Sequence, residues 1–165
     1  MVPRRVPIVV DINVLVDAVV AEPDPERWES PPPVRGEASA MTLAILNEGL
    51  EFEVWLSKHL IEGTTRVLRH AFSFTTGEAA TYSAFLRAVT SRAGGIAEPH
   101  LRVMDCEDWE DNRVLELADS VGAFLIVSSY GHLLSMSPWR GIPVQSPEAF
   151  VSRVDVMRRR PRKGA

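Results

Sequence analysis

Apolar, mostly β-branched residues run through Val6-Pro7-Ile8-Val9-Val10, stop at Asp11 and Asn13, and then give way to a pattern that predicts a helix. An unbroken run of this kind is the signature of a strand buried on both faces, as in a parallel sheet. Further strand signals fall at Phe52 to Leu56, Leu101 to Met104, Ala123 to Val127 and Ile142 to Gln145. Helical patterns separate them at Leu43 to Leu50, Lys58 to His70, Gly77 to Arg92, Glu110 to Val121 and Pro147 to Arg158. Strands that alternate with helices need crossover connections, so the expected fold is a three-layer α/β/α domain around a mainly parallel five-stranded sheet.

Pro23, Pro25, Pro31, Pro32 and Pro33 disfavour helix between Glu22 and Gly36 and predict a long surface loop bordering the first strand. Arg92-Ala93-Gly94-Gly95 reads as a turn. The chain carries no internal repeat, Gly-rich phosphate loop or linker, so one domain is expected over residues 1–156, with a basic tail at 157–165. A length of 165 residues with 45% hydrophobic and 24% charged content suits a single globular core. No apolar run approaches the roughly 18 residues of a membrane span, and Met1 to Val10 lacks the features of a secretory signal, which points to the cytoplasm. Cys106 is the single cysteine, which excludes an internal disulfide and a cysteine-based zinc site. Net charge is −4, yet Arg158, Arg159, Arg160, Arg162 and Lys163 place five positive charges near the end and leave −9 on the rest. An acidic body argues against broad coating of nucleic acid; the basic tail is either solvated or able to hold a phosphate backbone.

Ligand sites of parallel sheets lie beyond the carboxyl ends of the strands, where Asp11 is expected. It can serve there as a site acid or as the cap of the next helix. A denser cluster, Asp105-Cys106-Glu107-Asp108-Trp109-Glu110-Asp111-Asn112, contains five acids in eight residues. Asp108 is a natural N-cap and acids in a first helical turn suit the helix dipole, but so much negative charge at one strand end calls for solvent or a cation. Mg²⁺ or Mn²⁺ prefers carboxylate oxygen and retains water that can attack a phosphate. Ser57 can cap the Lys58 to His70 helix, whose spacing groups Leu60, Ile61, Thr64, Val67 and Leu68 on a buried stripe. Glu62, Arg66 and Arg69 fall on another face, where Glu62 reads as a surface residue beside Arg66.

Four segments in this order resemble the PIN-domain family of metal-dependent ribonucleases. They are Val9-Val10-Asp11-Ile12-Asn13, Ser57 through Glu62 to Val67-Leu68, Asp108 through Asn112 to Ala118, and Ile142-Pro143-Val144-Gln145-Ser146-Pro147-Glu148-Ala149-Phe150. The resemblance runs from Val6 to about Phe150. It implies Asp11, Glu62 and Asp111 as catalytic carboxylates, with Asp11 and Asp111 binding Mg²⁺ or Mn²⁺ directly or through water and Glu62 completing the metal pocket. Asn13 and Ser128 would be supporting polar groups, and the reaction would be hydrolysis of RNA. The small single-domain form is similar to the toxin half of toxin–antitoxin pairs, which implies an antitoxin partner and a homodimer.

One segment departs from the pattern. The family typically has Thr-x-Asp after its fourth strand, followed shortly by another Asp, where this chain has Ser128-Ser129-Tyr130-Gly131-His132. A phenol is neutral at pH 7 and a poor Mg²⁺ ligand, so the expected pocket is one charge short. Asp108 or Asp105 can stand in for the missing acid, and His132, if it reaches the site, would favour Mn²⁺. A PIN-shaped module that binds RNA or protein without cutting is the alternative. The strand ending Asp-x-Asn also resembles haloacid-dehalogenase-like phosphatases, which need an Asp where this chain has Asn13.

Overall fold

The computed structural model describes residues 4–24 and 37–160. Among them, five strands form one sheet in the order β3-β2-β1-β4-β5, with every neighbouring pair parallel. The strands are β1 (Val6–Val10), β2 (Phe52–Leu56), β3 (Gly94–Ile96), β4 (Leu125–Val127) and β5 (Val144–Gln145). Seven helices accompany them: α1 (Ile12–Ala21), α2 (Ala38–Glu48), α3 (Lys58–Ala71), α4 (Thr76–Arg92), α5 (Trp109–Val121), α6 (Gly131–Ser135) and α7 (Pro147–Arg159). In β1, successive side chains point to opposite faces, yet Ile8, Val9 and Val10 are all buried. Helices therefore cover both faces at the centre of the sheet, which is the expected three-layer arrangement.

Because all strands run the same way, their carboxyl ends share one edge. Asp11, Ser57, Ser128 and Ser146 each follow directly on a strand there. The chain first steps from β1 through β2 to β3, then returns to the other side of β1 for β4 and β5. The strand order thus reverses between β1 and β4, the position at which open parallel sheets leave a crevice. Register fixes that crevice: Val10 lies opposite Val127, and the Asp11 N–H donates to the Val127 carbonyl at 3.0 Å.

The starts of α3, α7 and α5 at this edge are capped by side chains. Ser57 Oγ accepts from Leu60 N at 3.1 Å, Ser146 Oγ from Ala149 N at 3.2 Å, and Asp108 Oδ1 from Glu110 N at 2.9 Å. Gly63 lets α3 approach α1 closely; a Cβ there would stand 2.6 Å from Ile12 Cδ1.

Two expectations are corrected. Leu101 to Met104 is not a strand; the third strand is Gly94–Ile96, overlapping the end of the stretch read as a turn, and it pairs with Val54, Trp55 and Leu56. Of residues 101–104 only Val103 is buried, its N–H donating to Glu116 Oε1 at 2.9 Å. The expected basic tail begins inside α7, which continues to Arg159. Of the proline-rich loop, residues 25–36 lie outside the described residues, as do Arg162 and Lys163 of the tail.

Candidate active site

The crevice between the ends of β1 and β4 is a cleft of about 300 Å³ lined by Asp11, Asn13, Gly63, Arg66, Asp111 and Tyr130, with Asp108 and Glu110 also on its wall. Asp11 is the N-cap of α1: its Oδ1 accepts from Ile12 N at 2.7 Å and its Oδ2 from the Ser128 hydroxyl at 2.8 Å. Ser128 Oγ in turn accepts from Tyr130 N at 3.0 Å. A relay of short bonds thus fixes the Asp11 carboxylate from both strand ends, while its remaining lone pairs stay available. Burial pushes the Asp11 carboxyl above its ordinary range, against the pull of the Ser128 and Ile12 bonds, and the negative charges of Asp108 and Glu110 add to the rise.

Asp111 reaches the same cleft from the first turn of α5. Its neighbour Asn112 holds the approach loop, accepting from Cys106 N and donating to Cys106 O, each at 2.9 Å. The Asp111 side chain is buried, and its Oδ2 has no hydrogen-bond partner among the described residues. Burial, then the charges of Asp108 and Asp11, push its pKa up to about 6. A buried carboxylate oxygen without a donor is costly, and a cation is one of the few things that relieves it.

Asp11, Asp111, Asn13 and Asp108 are brought together, with Ser128 behind Asp11. Glu62 is not. It lies on the outer side of α3, more than half exposed, 3.7 Å from Lys58, in a groove it shares with Thr65, Arg69 and Arg87. One residue along a helix turns the side chain by about 100°, and the position of α3 that meets the cleft is Gly63, with Arg66 one turn later. Tyr130 lines the cleft as the pattern suggested, its ring 5.3 Å from that of His132, an exposed residue that is not part of the lining. Asp105 is turned away, accepting from Trp139 Nε1 at 2.8 Å. Sequence reasoning missed Arg66 and Glu110 as cleft residues. The signal for Arg66 was its spacing of three from Gly63, legible only once the glycine is known to face the cleft.

Arg158 is engaged in another way than the tail reading expects, its guanidinium donating to Glu51 and Glu48 at 2.8 Å. Arg159 pairs with Asp155 at 2.8 Å, and Arg160 is exposed.

The PIN domain profile matches residues 7–129, about three quarters of the chain. The chain belongs to the PIN-domain family. PIN domains are generally nucleases that use divalent metal ions, and the match spans both strand ends that build the cleft. No curated protein matches the sequence. The residues present suit such an ion in one form only. Among the described residues no three His, Cys, Asp or Glu side chains converge as ligands, so the PIN cleft offers no full protein cage. Two buried carboxylates, one with an orphaned oxygen, fit a hard cation that keeps most of its water, as Mg²⁺ and Mn²⁺ do.

Proposed function

We propose that this PIN-domain protein is a divalent-cation-dependent ribonuclease whose working acids are Asp11 and Asp111. The observation that carries this reading is the buried, unpartnered Asp111 Oδ2 beside the fixed Asp11 carboxylate at the point where the strand order reverses. Asp11 and Asp111 would hold Mg²⁺ or Mn²⁺, which when bound supplies Lewis-acid activation of water and neutralises phosphate charge. Ser128 holds Asp11 in place by donating to Oδ2, and Asn112 fixes the turn that delivers Asp111. Asn13, exposed on the cleft wall, offers an amide to a phosphate oxygen, and Arg66 offers a positive charge. Asp108, bound to the first turn of α5, positions that turn rather than a ligand. Arg159 and Arg160, with Arg162 and Lys163, would hold more distant phosphates. Within this reading the protein acts in the cytoplasm as the toxin of a toxin–antitoxin pair, as a homodimer silenced by its antitoxin. The test is incubation of single-stranded and structured RNAs with Mg²⁺, Mn²⁺ or chelator. Cleavage that stops on chelation is expected; intact RNA in every condition overturns the reading.

A second reading, a PIN module that binds RNA without cutting it, is favoured by the cleft wall itself. Gly63, Arg66 and Tyr130 stand where further acids would strengthen a metal site. Metal affinity follows the charge of the ligand set, so Tyr130→Asp is expected to tighten Mn²⁺ binding on the order of ten-fold. Calorimetry showing unchanged affinity would contradict the idea that the cleft is limited by missing charge.

A further inference from the structure

A second depression opens on the same sheet edge, over the ends of β2 and β3. It has a volume of about 350 Å³, within the range of small-ligand sites, and its walls include His59, His100, Arg102, Trp109 and Arg113. One pair of residues separates it from the acid cleft: His59, on its wall, meets Glu110, on the wall of the cleft, at 2.7 Å between Nε2 and Oε2. Trp109 directly precedes Glu110 in the first turn of α5, so the two hollows share a wall one residue thick.

Trp109 is 56% exposed although it is among the most apolar side chains, and its ring is steadied rather than buried. The His59 ring lies 5.3 Å away at 60°, and the Arg113 guanidinium sits 5.6 Å from its centroid. Arg113 is anchored to Glu116, itself buried and bound to Val103 N. The acids of this hollow are thus committed internally; Glu98 likewise accepts from Lys58 N at 3.2 Å. Arg102 and His100 are exposed and free of ion pairs among the described residues. An exposed aromatic ring held by an imidazole ring and a guanidinium, with spare donors beside it, has the composition of a nucleotide platform.

We propose that this hollow binds one unpaired RNA nucleotide next to the phosphate held at the acid cleft, with its base stacked on Trp109 and its phosphate met by Arg102 and His100. The inference deepens the ribonuclease reading and rests on it for the identity of the strand. A paired base hides its faces inside the duplex, so the hollow selects single-stranded RNA.

Binding of a fluorescein-labelled single-stranded oligoribonucleotide, measured by anisotropy in chelator, separates this inference from the question of cleavage. Trp109→Ala is expected to weaken binding at least roughly five-fold, the lower end of what one base–aromatic stack contributes, while Trp109→Phe retains most of it. Arg102→Ala is expected to lower the salt dependence by about the 0.7 of one phosphate contact. Circular dichroism checks that the exposed substitutions leave the fold unchanged. Equal affinity of wild type and Trp109→Ala, or no binding by wild type, overturns the platform, whatever the cleavage result. Trp109-dependent binding without cleavage when Mn²⁺ is restored upholds the platform and refutes the nuclease.

Discussion

Asp11→Asn is expected to lower RNA cleavage by roughly a hundred- to a thousand-fold, the loss typical when one group stabilising transition-state charge is removed. The fold should survive, because the amide is the same size as the carboxylate and keeps the local bonds. Its oxygen can still accept from Ile12 N, and its NH₂ can donate to Ser128 Oγ, whose hydrogen rotates away and whose second lone pair is free of the Tyr130 N–H. What disappears is a negative charge buried at the reversal of strand order. Cleavage measured beside thermal unfolding separates the two contributions. Loss of activity with an unchanged or higher Tm supports Asp11 as a working acid; activity close to wild type removes it from the mechanism and, with it, the proposed site.

The parts of this site legible in the sequence are those that follow from a strand ending. Val6 to Val10 could only be a central strand, and whatever followed it had to emerge at the sheet edge, so Asp11 was placed by topology. Asp111 was singled out by the resemblance of its segment to the PIN family, and Asp108, as the cap of α5, fixes the turn that carries it. Glu62 was drawn into the site by the family resemblance, whereas the helical pattern reads it as a surface residue, where the structure also has it. Glu62 and Gly63 differ by about 100° around α3, and which of them meets α1 is a matter of packing. The close approach of Gly63 to Ile12 decides it. β3 escaped for the opposite reason: Gly94 and Gly95 carry no strand preference, and the short edge strand is imposed by pairing with β2. Leu101 to Met104 alternates like a strand, yet Val103 is satisfied by the carboxylate of Glu116 instead of a neighbouring strand. Arg158 looked like a free tail charge because its partners, Glu48 and Glu51, are more than a hundred residues away in sequence.

The acid cleft should also cost the metal-free protein stability, and Asp111→Asn is expected to recover it. In the unfolded chain Asp111 ionises near 3.8, whereas burial, followed by the charges of Asp108 and Asp11, pushes it up to about 6 in the fold. Between those values the native state holds the proton more firmly than the unfolded state, so stability falls as pH rises through the window and stays lower above it. Asparagine has no such proton to lose. In chelator, the variant should match wild type below about pH 4 and melt several degrees higher above pH 6, where each kcal/mol moves Tm by roughly 2–4 °C in a domain of this size. Its amide leaves a buried polar atom without a partner, but a neutral one, which is cheaper than a buried charge. Adding Mn²⁺ should narrow the gap from the other side, since a cation that binds the folded wild type raises its Tm by mass action and finds one carboxylate fewer in the variant. Parallel Tm profiles for the two proteins from pH 4 to 8, in chelator, would mean that the Asp111 charge is already compensated in the fold, and the reason to place a cation beside it would be gone.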